Sequence, residues 1–402
     1  MGRTGRIAYL GLISSALLAL AATGCQDGNG TGTGGTAGDG GSNTGGNNTG
    51  GSTGGTNPGG GGTGGDTGGT TTTTTVNNDA CETDVTDATV YQVTDIKADG
   101  AVGKDIKVRL NDVVAMSNKI LISHSNNSGS CLWGVFVSAP KTADGSGDLT
   151  ETAPYSGVIV LSYGPNAAQG TPCLNQAGAA AAGMQADADV IPDDIKPGDV
   201  VKVIGKTSKF IQQSCGQKAT DSDVPQAQIF TPCKVEKTGG TAVVPAPHVL
   251  TSAEMDLMNK QKSADPGAKD FHEAWAGVRV RAADVNPIQY SGKTCGTNGD
   301  FYCCPMGVDM CTVEYFGSIT LAEGNVLVPD SLYYVKPADV GGGELCHIAP
   351  VFPNDPVPSW SKVDGFHQLN FCTWVLAPTD KCADFDPQSE DCVAQGIQAC
   401  FP

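Results

Sequence analysis

Ile195-Lys196-Pro197-Gly198-Asp199-Val200-Val201-Lys202-Val203-Ile204-Gly205 is a turn feeding straight into a strand. Pro197 presets a turn backbone, Gly198 accepts the conformation that closes it, and the β-branched alternation from Val200 suits a pleated, half-buried surface. Similar β-branched runs recur at residues 90–96, 106–114, 132–137 and 157–162, each bounded by turn residues. Short strands at this spacing predict a small barrel or sandwich.

The pattern returns once along the chain. Ile106-Lys107-Val108-Arg109-Leu110-Asn111-Asp112-Val113 matches Val278-Arg279-Val280-Arg281-Ala282-Ala283-Asp284-Val285, with alternate apolar residues, a mid-strand Arg and an Asp three positions later. Val203-Ile204-Gly205 with Phe210 parallels Val363-Asp364-Gly365 with Phe371. Self-similarity at long range predicts two copies of one fold. Between them, Pro245-Ala246-Pro247 leads to Thr251-Ser252-Ala253-Glu254, a capping box opening a short helix with Met255 and Met258. Pro266-Gly267 reads as the turn that ends this region.

In order and pattern these segments resemble the OB-fold-like repeats found in bacterial surface lipoproteins and beside secreted nucleases. The residues that carry the resemblance are Val108-Arg109 with Asp112-Val113, Trp133-Gly134-Val135-Phe136-Val137, and the turn-strand segment 196–205. In the second copy they are Phe371-Cys372-Thr373-Trp374-Val375-Leu376-Ala377-Pro378 with Asp384-Phe385. The resemblance implies a mainly β protein with two tandem small OB-like barrels at residues 76–240 and 241–402, few short helices, and a disulfide-rich C-terminal part. OB folds use one face and its flanking loops for oligonucleotides or sugars. Trp133, Phe136, Tyr315, Phe316, Phe371 and Trp374, on strand-like runs, are the candidate ligand-face aromatics.

Upstream the composition changes. Of 55 glycines in 402 residues, 22 lie in residues 26–75, among Thr, Asn and Ser. That stretch cannot offset the entropy of ordering, so it reads as a disordered stalk, about 40 Å across on average as a Gly-rich coil. Residues 1–24 have a signal-peptide pattern: Arg3 and Arg6, then an uncharged apolar run at 7–22, too short to span as a membrane helix. Ala22-Thr23-Gly24-Cys25 resembles the lipobox of bacterial lipoproteins, which implies lipidation of Cys25 and a membrane-anchored mature chain. Gln26 rather than Asp after the cysteine implies the outer membrane.

Cysteine parity agrees with the anchor. Of 15 cysteines, setting Cys25 aside leaves an even 14: Cys81, Cys131, Cys173, Cys215, Cys233, Cys295, Cys303, Cys304, Cys311, Cys346, Cys372, Cys382, Cys392 and Cys400. Without C-x-x-C or a clustered Cys/His ligand set, they read as disulfide cysteines of an exported protein. Adjacent Cys303 and Cys304 are expected to take different partners.

The net charge is −18, with 12 Lys+Arg against 19 Asp+Glu in residues 76–236 and 10 against 20 in residues 237–402. Neither half offers the basic surface that nucleic-acid binding needs. No catalytic set stands out. His272-Glu273-Ala274-Trp275-Ala276 lacks the second histidine of a zinc helix, so His272 reads as a surface residue ahead of a strand. Gly50-Gly51-Ser52-Thr53-Gly54 falls in the stalk rather than at a nucleophile elbow. Asp144, Ser146 and Asp148 alternate, as do Asp187 with Asp189 and Asp384 with Asp386; Ca²⁺ is the one cofactor such oxygens suit, but no complete loop follows and acidic turns are the preferred reading. The expectation is an anchored, non-enzymatic envelope module that binds a glycan or protein or serves structurally. The rivals are an extracytoplasmic hydrolase and a subunit of a surface assembly.

Overall fold

The computed structural model describes residues 79–125, 130–164, 173, 189–210, 224–260, 266–291, 304, 309–312, 318–332, 357, 359–370 and 373–388. Cys25, the stalk, Asp187, Tyr315, Phe316, Phe371 and seven of the disulfide candidates (Cys215, Cys295, Cys303, Cys346, Cys372, Cys392 and Cys400) lie outside the described residues. In chain order the elements are α1 (Asp79–Glu82), β1 (Thr86–Ala88), α2 (Val90–Thr94), β2 (Lys107–Ala115), β3 (Ile120–Ser125), β4 (Ser130–Ser138), β5 (Gly157–Tyr163), β6 (Asp199–Phe210), β7 (Gln226–Thr241) and β8 (His248–Val249). The second half continues with α3 (Ser252–Asn259), α4 (Pro266–Trp275), β9 (Arg279–Val285), β10 (Tyr290–Ser291), β11 (Met310–Cys311), β12 (Ser318–Thr320), β13 (Leu327–Pro329), β14 (Trp360–Asn370), β15 (Thr373–Ala377) and β16 (Phe385–Asp386). The protein is mainly β.

Two local expectations give way. The run at 90–96 opens as α2 rather than a strand: the Thr89 hydroxyl accepts from Gln92 N–H and the Gln92 side chain accepts from Thr89 N–H, while Val90 and Val93 turn one face inward. A capping box here outweighs the β propensity of valine. Pro266-Gly267 does not end a region but starts α4, where a proline at the first turn costs no hydrogen bond.

In the first half, β2 pairs with β6, β6 with β7, β7 in parallel with β5, β5 with β4, and β4 back to β2. This five-strand circuit closes on a core that includes Leu110, Trp133, Val135, Val137, Val160, Val203 and Ile229. The turn at 196–199 delivers β6 into it: Asp199 Oδ2 accepts from Lys196 N–H, and Gly198 adopts φ +92°.

The second half repeats the register of the first. Val108 faces Gly205 and Leu110 faces Val203; correspondingly, Val280 faces Gly365 and Ala282 faces Val363. Each pair gains a parallel neighbour, with Thr86 opposite Val108 and His248 opposite Val280, and a capping-box threonine follows three residues later, Thr89 and Thr251. The matched aspartates both adopt left-handed backbone, Asp112 at φ 54° and Asp284 at φ 51°, a conformation Asp tolerates better than most residues. The matched glycines sit where the next strand crosses closely. A Cβ on Gly205 would stand 2.6 Å from Ile229 Cγ2, and one on Gly365 2.8 Å from the Ala377 carbonyl carbon.

Each half keeps its own core cluster and a third cluster joins them; all described residues belong to one compact unit, Thr73–Pro402. Along β4, odd residues point into the circuit, and Phe136 points out with Ile159 and Leu161 of β5 against Phe366, Val375 and Ala377 of β14 and β15. The Phe136 and Phe366 rings stack with centroids 3.8 Å apart and planes 8° from parallel. Hydrogen bonds fringe this seam: Thr152 Oγ1 donates to the Arg279 carbonyl at 2.6 Å, and Gln226 Oε1 accepts from Leu369 N–H at 2.8 Å. Truncating either ring leaves the other facing a cavity, so Phe136→Ala and Phe366→Ala should each cost about 3–5 kcal/mol. The double variant should lose at least about 0.5 kcal/mol less than the sum, because the rings touch. Urea denaturation of the three variants checks this, and strict additivity would contradict the seam.

Candidate functional site

The described candidate aromatics, Trp133, Phe136 and Trp374, are buried rather than presented on a ligand face. Trp133 is 2 % exposed, Phe136 0 % and Trp374 3 %. The two-residue alternation of β4 sends Trp133 into the circuit core and Phe136 into the seam, and Trp374 packs in a small cluster with Val224, Ala276 and Leu369. The gap left at the seam, lined by Met116, Gly157, Gly277, Arg279 and Phe366 among others, does not admit a water molecule.

The repeat also duplicates a charged strand face. Lys107, Arg109 and Lys202 of the first half occupy the register positions of Arg279, Arg281 and Lys362 in the second. In the first half the counter-charge is brought in by α1. Glu82 Oε2 lies 2.8 Å from Arg109, and its Oε1 lies 3.1 Å from both Lys202 and Lys234. The hydrogen bond from Lys202, then that from Lys234, lowers the Glu82 pKa to about 2. The Cys81–Cys233 disulfide ties α1 to β7 beside this cluster. In the second half the strand supplies its own acid: Asp364 stands where the first half has Ile204 and takes a bidentate Arg281, at 2.6 and 2.9 Å. Asp384 accepts from Arg279 at 2.6 Å and from the backbone N–H groups of Thr379 and Asp380. Burial raises the Asp384 pKa, with Arg279 opposing. Arg109, Lys202, Arg279, Arg281 and Lys362 thus lie against carboxylates, while Lys107 donates to the Ala80 and Thr83 carbonyls.

Of the alternating acids, Asp144, Asp189, Asp384 and Asp386 are engaged. Asp144 Oδ1 accepts from the Thr142 hydroxyl and from Ser146 N–H and Oγ–H, closing its own turn, and the Thr142 bond leads in holding its pKa at about 2. Asp189 meets Lys119, and Asp386 Oδ2 accepts from the Ser361 hydroxyl. Among the described residues no three His, Cys, Asp or Glu side chains are grouped to hold a metal ion.

One constellation was not anticipated. His272 is buried on α4 rather than at the surface, against buried His367 of β14. His272 Nε2 donates to the Lys260 carbonyl at 2.7 Å, leaving Nδ1 to accept from His367 Nε2–H at 2.8 Å. Trp374 stacks on both rings with centroids 4.7 Å away. Burial lowers the His272 pKa to about 4; burial and the neighbouring His272 push His367 well below its usual range. Both rings are neutral at pH 7. The relay ends on the Lys260 backbone carbonyl. The signal was in the sequence: Ala268, Phe271, His272 and Trp275 fall at helical spacing and are all buried. His248 lies at the edge of this layer, stacked on Trp275 at 4.5 Å and between Glu151 and Glu254 at 3.2 and 3.3 Å.

The described cysteines are disulfide-bonded: Cys81–Cys233, Cys131–Cys173 and Cys304–Cys311, with Cys382 bonded as well. In comparisons with known proteins, no family model, no curated protein and no solved structure matches the chain.

The histidine pair sets an acid response. Their folded-state pKa values are depressed, so the unfolded chain takes up protons first as pH falls. Stability is full above the unfolded value near 6.5 and declines as pH drops toward about 4, by about 3 kcal/mol from His272 alone. Denaturant midpoints at pH 7 and 4.5 should show this loss, and His272→Gln should shrink it. Equal wild-type midpoints would contradict the assignment.

Proposed function

We propose that this chain is a lipid-anchored protein of the bacterial cell envelope whose folded part is a structural head, not an enzyme. In this reading residues 1–24 direct export, Cys25 carries the lipid, and residues 26–75 are the tether. The folded part comprises two OB-fold-like barrels joined face to face. The parallel β5–β7 pairing and the return of β4 to β2 support the barrel reading of the first half, and the shared register extends it to the second.

The observation that carries the structural role is the seam. The outer face of β4 and β5, the second and third strands of the closed circuit, is the face on which OB folds bind strands and sugars. Here Phe136, Ile159 and Leu161 of that face are covered by Phe366, Val375 and Ala377. A glycan or protein partner would have to use the loops instead. The carboxylate-held cations and the acidic balance of both halves weigh against nucleic acid. The histidine pair, buried and tied to a backbone carbonyl, favours a core role over that of a hydrolase. Four disulfide-bonded positions in the first half suit an oxidising compartment, and outer-membrane placement on the periplasmic or cell-surface side follows from Gln26.

Cys25→Ala tests the anchor. The wild-type chain should need detergent for extraction, whereas the variant should move to the soluble fraction. A variant that stays in the detergent fraction would overturn the proposal.

A further inference from the structure

Lys119 lies between β2 and β3, a connection where a lysine ordinarily reaches into water, yet its side chain is only 3 % exposed. Its ammonium nitrogen abuts the carboxyl of Asp189, whose side chain is fully buried. The same nitrogen donates to the Ile191 carbonyl at 3.0 Å and to Asp193 Oδ1 at 2.8 Å, and it lies 4.8 Å from the Trp133 ring centroid. Asp189 is held in place by accepting from Ile191 N–H at 3.1 Å. Asp193, unlike the other two, reaches solvent.

Such a pair gains little as a salt bridge, because removing both charges from water offsets most of their attraction. Its geometry suits another outcome. An amine and a carboxyl held in contact in a water-poor site are an intramolecular acyl-transfer pair with a very high effective concentration. Burial raises the Asp189 pKa despite Lys119 beside it, which favours the uncharged acid over the less electrophilic carboxylate. Asp193 is within reach of the nitrogen to accept a proton and return it.

We propose that Lys119 and Asp189 join in an intramolecular isopeptide bond. Lys119 gives a proton to Asp193, and the free amine attacks Asp189 Cγ. One C–N bond forms, one C–O bond breaks, and the departing carboxylate oxygen takes the nitrogen's second proton together with the one held by Asp193 and leaves as water. The reactants are one ammonium and one carboxylate; the products are one secondary amide and one water. Charge and atoms balance without an oxidant. Trp133 walls the site and Asp193 is the proton carrier. The bond would enclose the Cys131–Cys173 disulfide within a second cross-link spanning 70 positions, and reductant would not open it.

Peptide mapping of the full chain, denatured, reduced, alkylated and digested with trypsin, tests this directly. The expected result is resistance to cleavage after Lys119 and a branched peptide joining Lys119 to Asp189, one water lighter than its two parts. Asp189→Asn should give the identical branched peptide, since ammonia then leaves in place of water. Lys119→Arg should abolish it. Asp193→Asn should slow linkage after synthesis by about tenfold or more, the lower range of proton-transfer catalysis; an unchanged rate would overturn the role of Asp193. Wild-type chain that folds, yet yields separate peptides with cleavage after Lys119, would overturn the bond itself, and this result requires no variant to fold.

Discussion

Phe136 and Phe366 lie ring on ring at the centre of the seam, and the arrangement of both halves follows from that contact. A small β circuit has one interior to fill, and apolar strands such as β4 carry a second apolar set on the other face. Left in water, Phe136, Ile159 and Leu161 would form an exposed apolar patch of the kind that invites association. The second half supplies the cover from within the same chain. Duplication of one strand pattern thus solves a burial problem that either copy alone would have.

The polar groups obey the same constraint. Several of the buried charges and imidazoles have a partner close at hand: Asp384 with Arg279, Asp364 with Arg281, Asp189 with Lys119, His272 with the Lys260 carbonyl. The two charged strand faces show how a repeat can drift while keeping its physics. The first half keeps Ile204 and recruits Glu82 from outside the circuit, fastened by Cys81–Cys233. The second half carries Asp364 in the strand itself. In both, arginines and lysines on a sheet face are met by carboxylates.

Much of the fold could be read from residue order. The turn at 196–199, the capping box at Thr251, and the matched pairs Val108–Gly205 and Val280–Gly365 are local patterns whose cause is local: dihedral preference, side-chain reach and strand alternation. Three readings failed, one to a competing local cap and two to tertiary packing. Val90 and Val93 have strand propensity, but one cap and one buried face decide for a helix. His272 was judged by a missing zinc partner, while the apolar stripe of α4 determined its place. Trp133 and Phe136 were set on one ligand face although alternation places them on opposite sides of β4, one in a core and one in the seam. Tertiary partners such as Asp193 for Lys119 are far apart in sequence and leave no periodic trace.

The central claim is that the two halves, each with its own core, are joined by the seam so closely that they unfold as a unit. Scanning calorimetry of the full chain with its disulfides intact tests it most directly. A shared seam requires a single transition whose calorimetric and van't Hoff enthalpies agree. Two resolved transitions, or a calorimetric enthalpy well above the van't Hoff value, would mean that each half folds on its own and that the seam is a contact rather than a core.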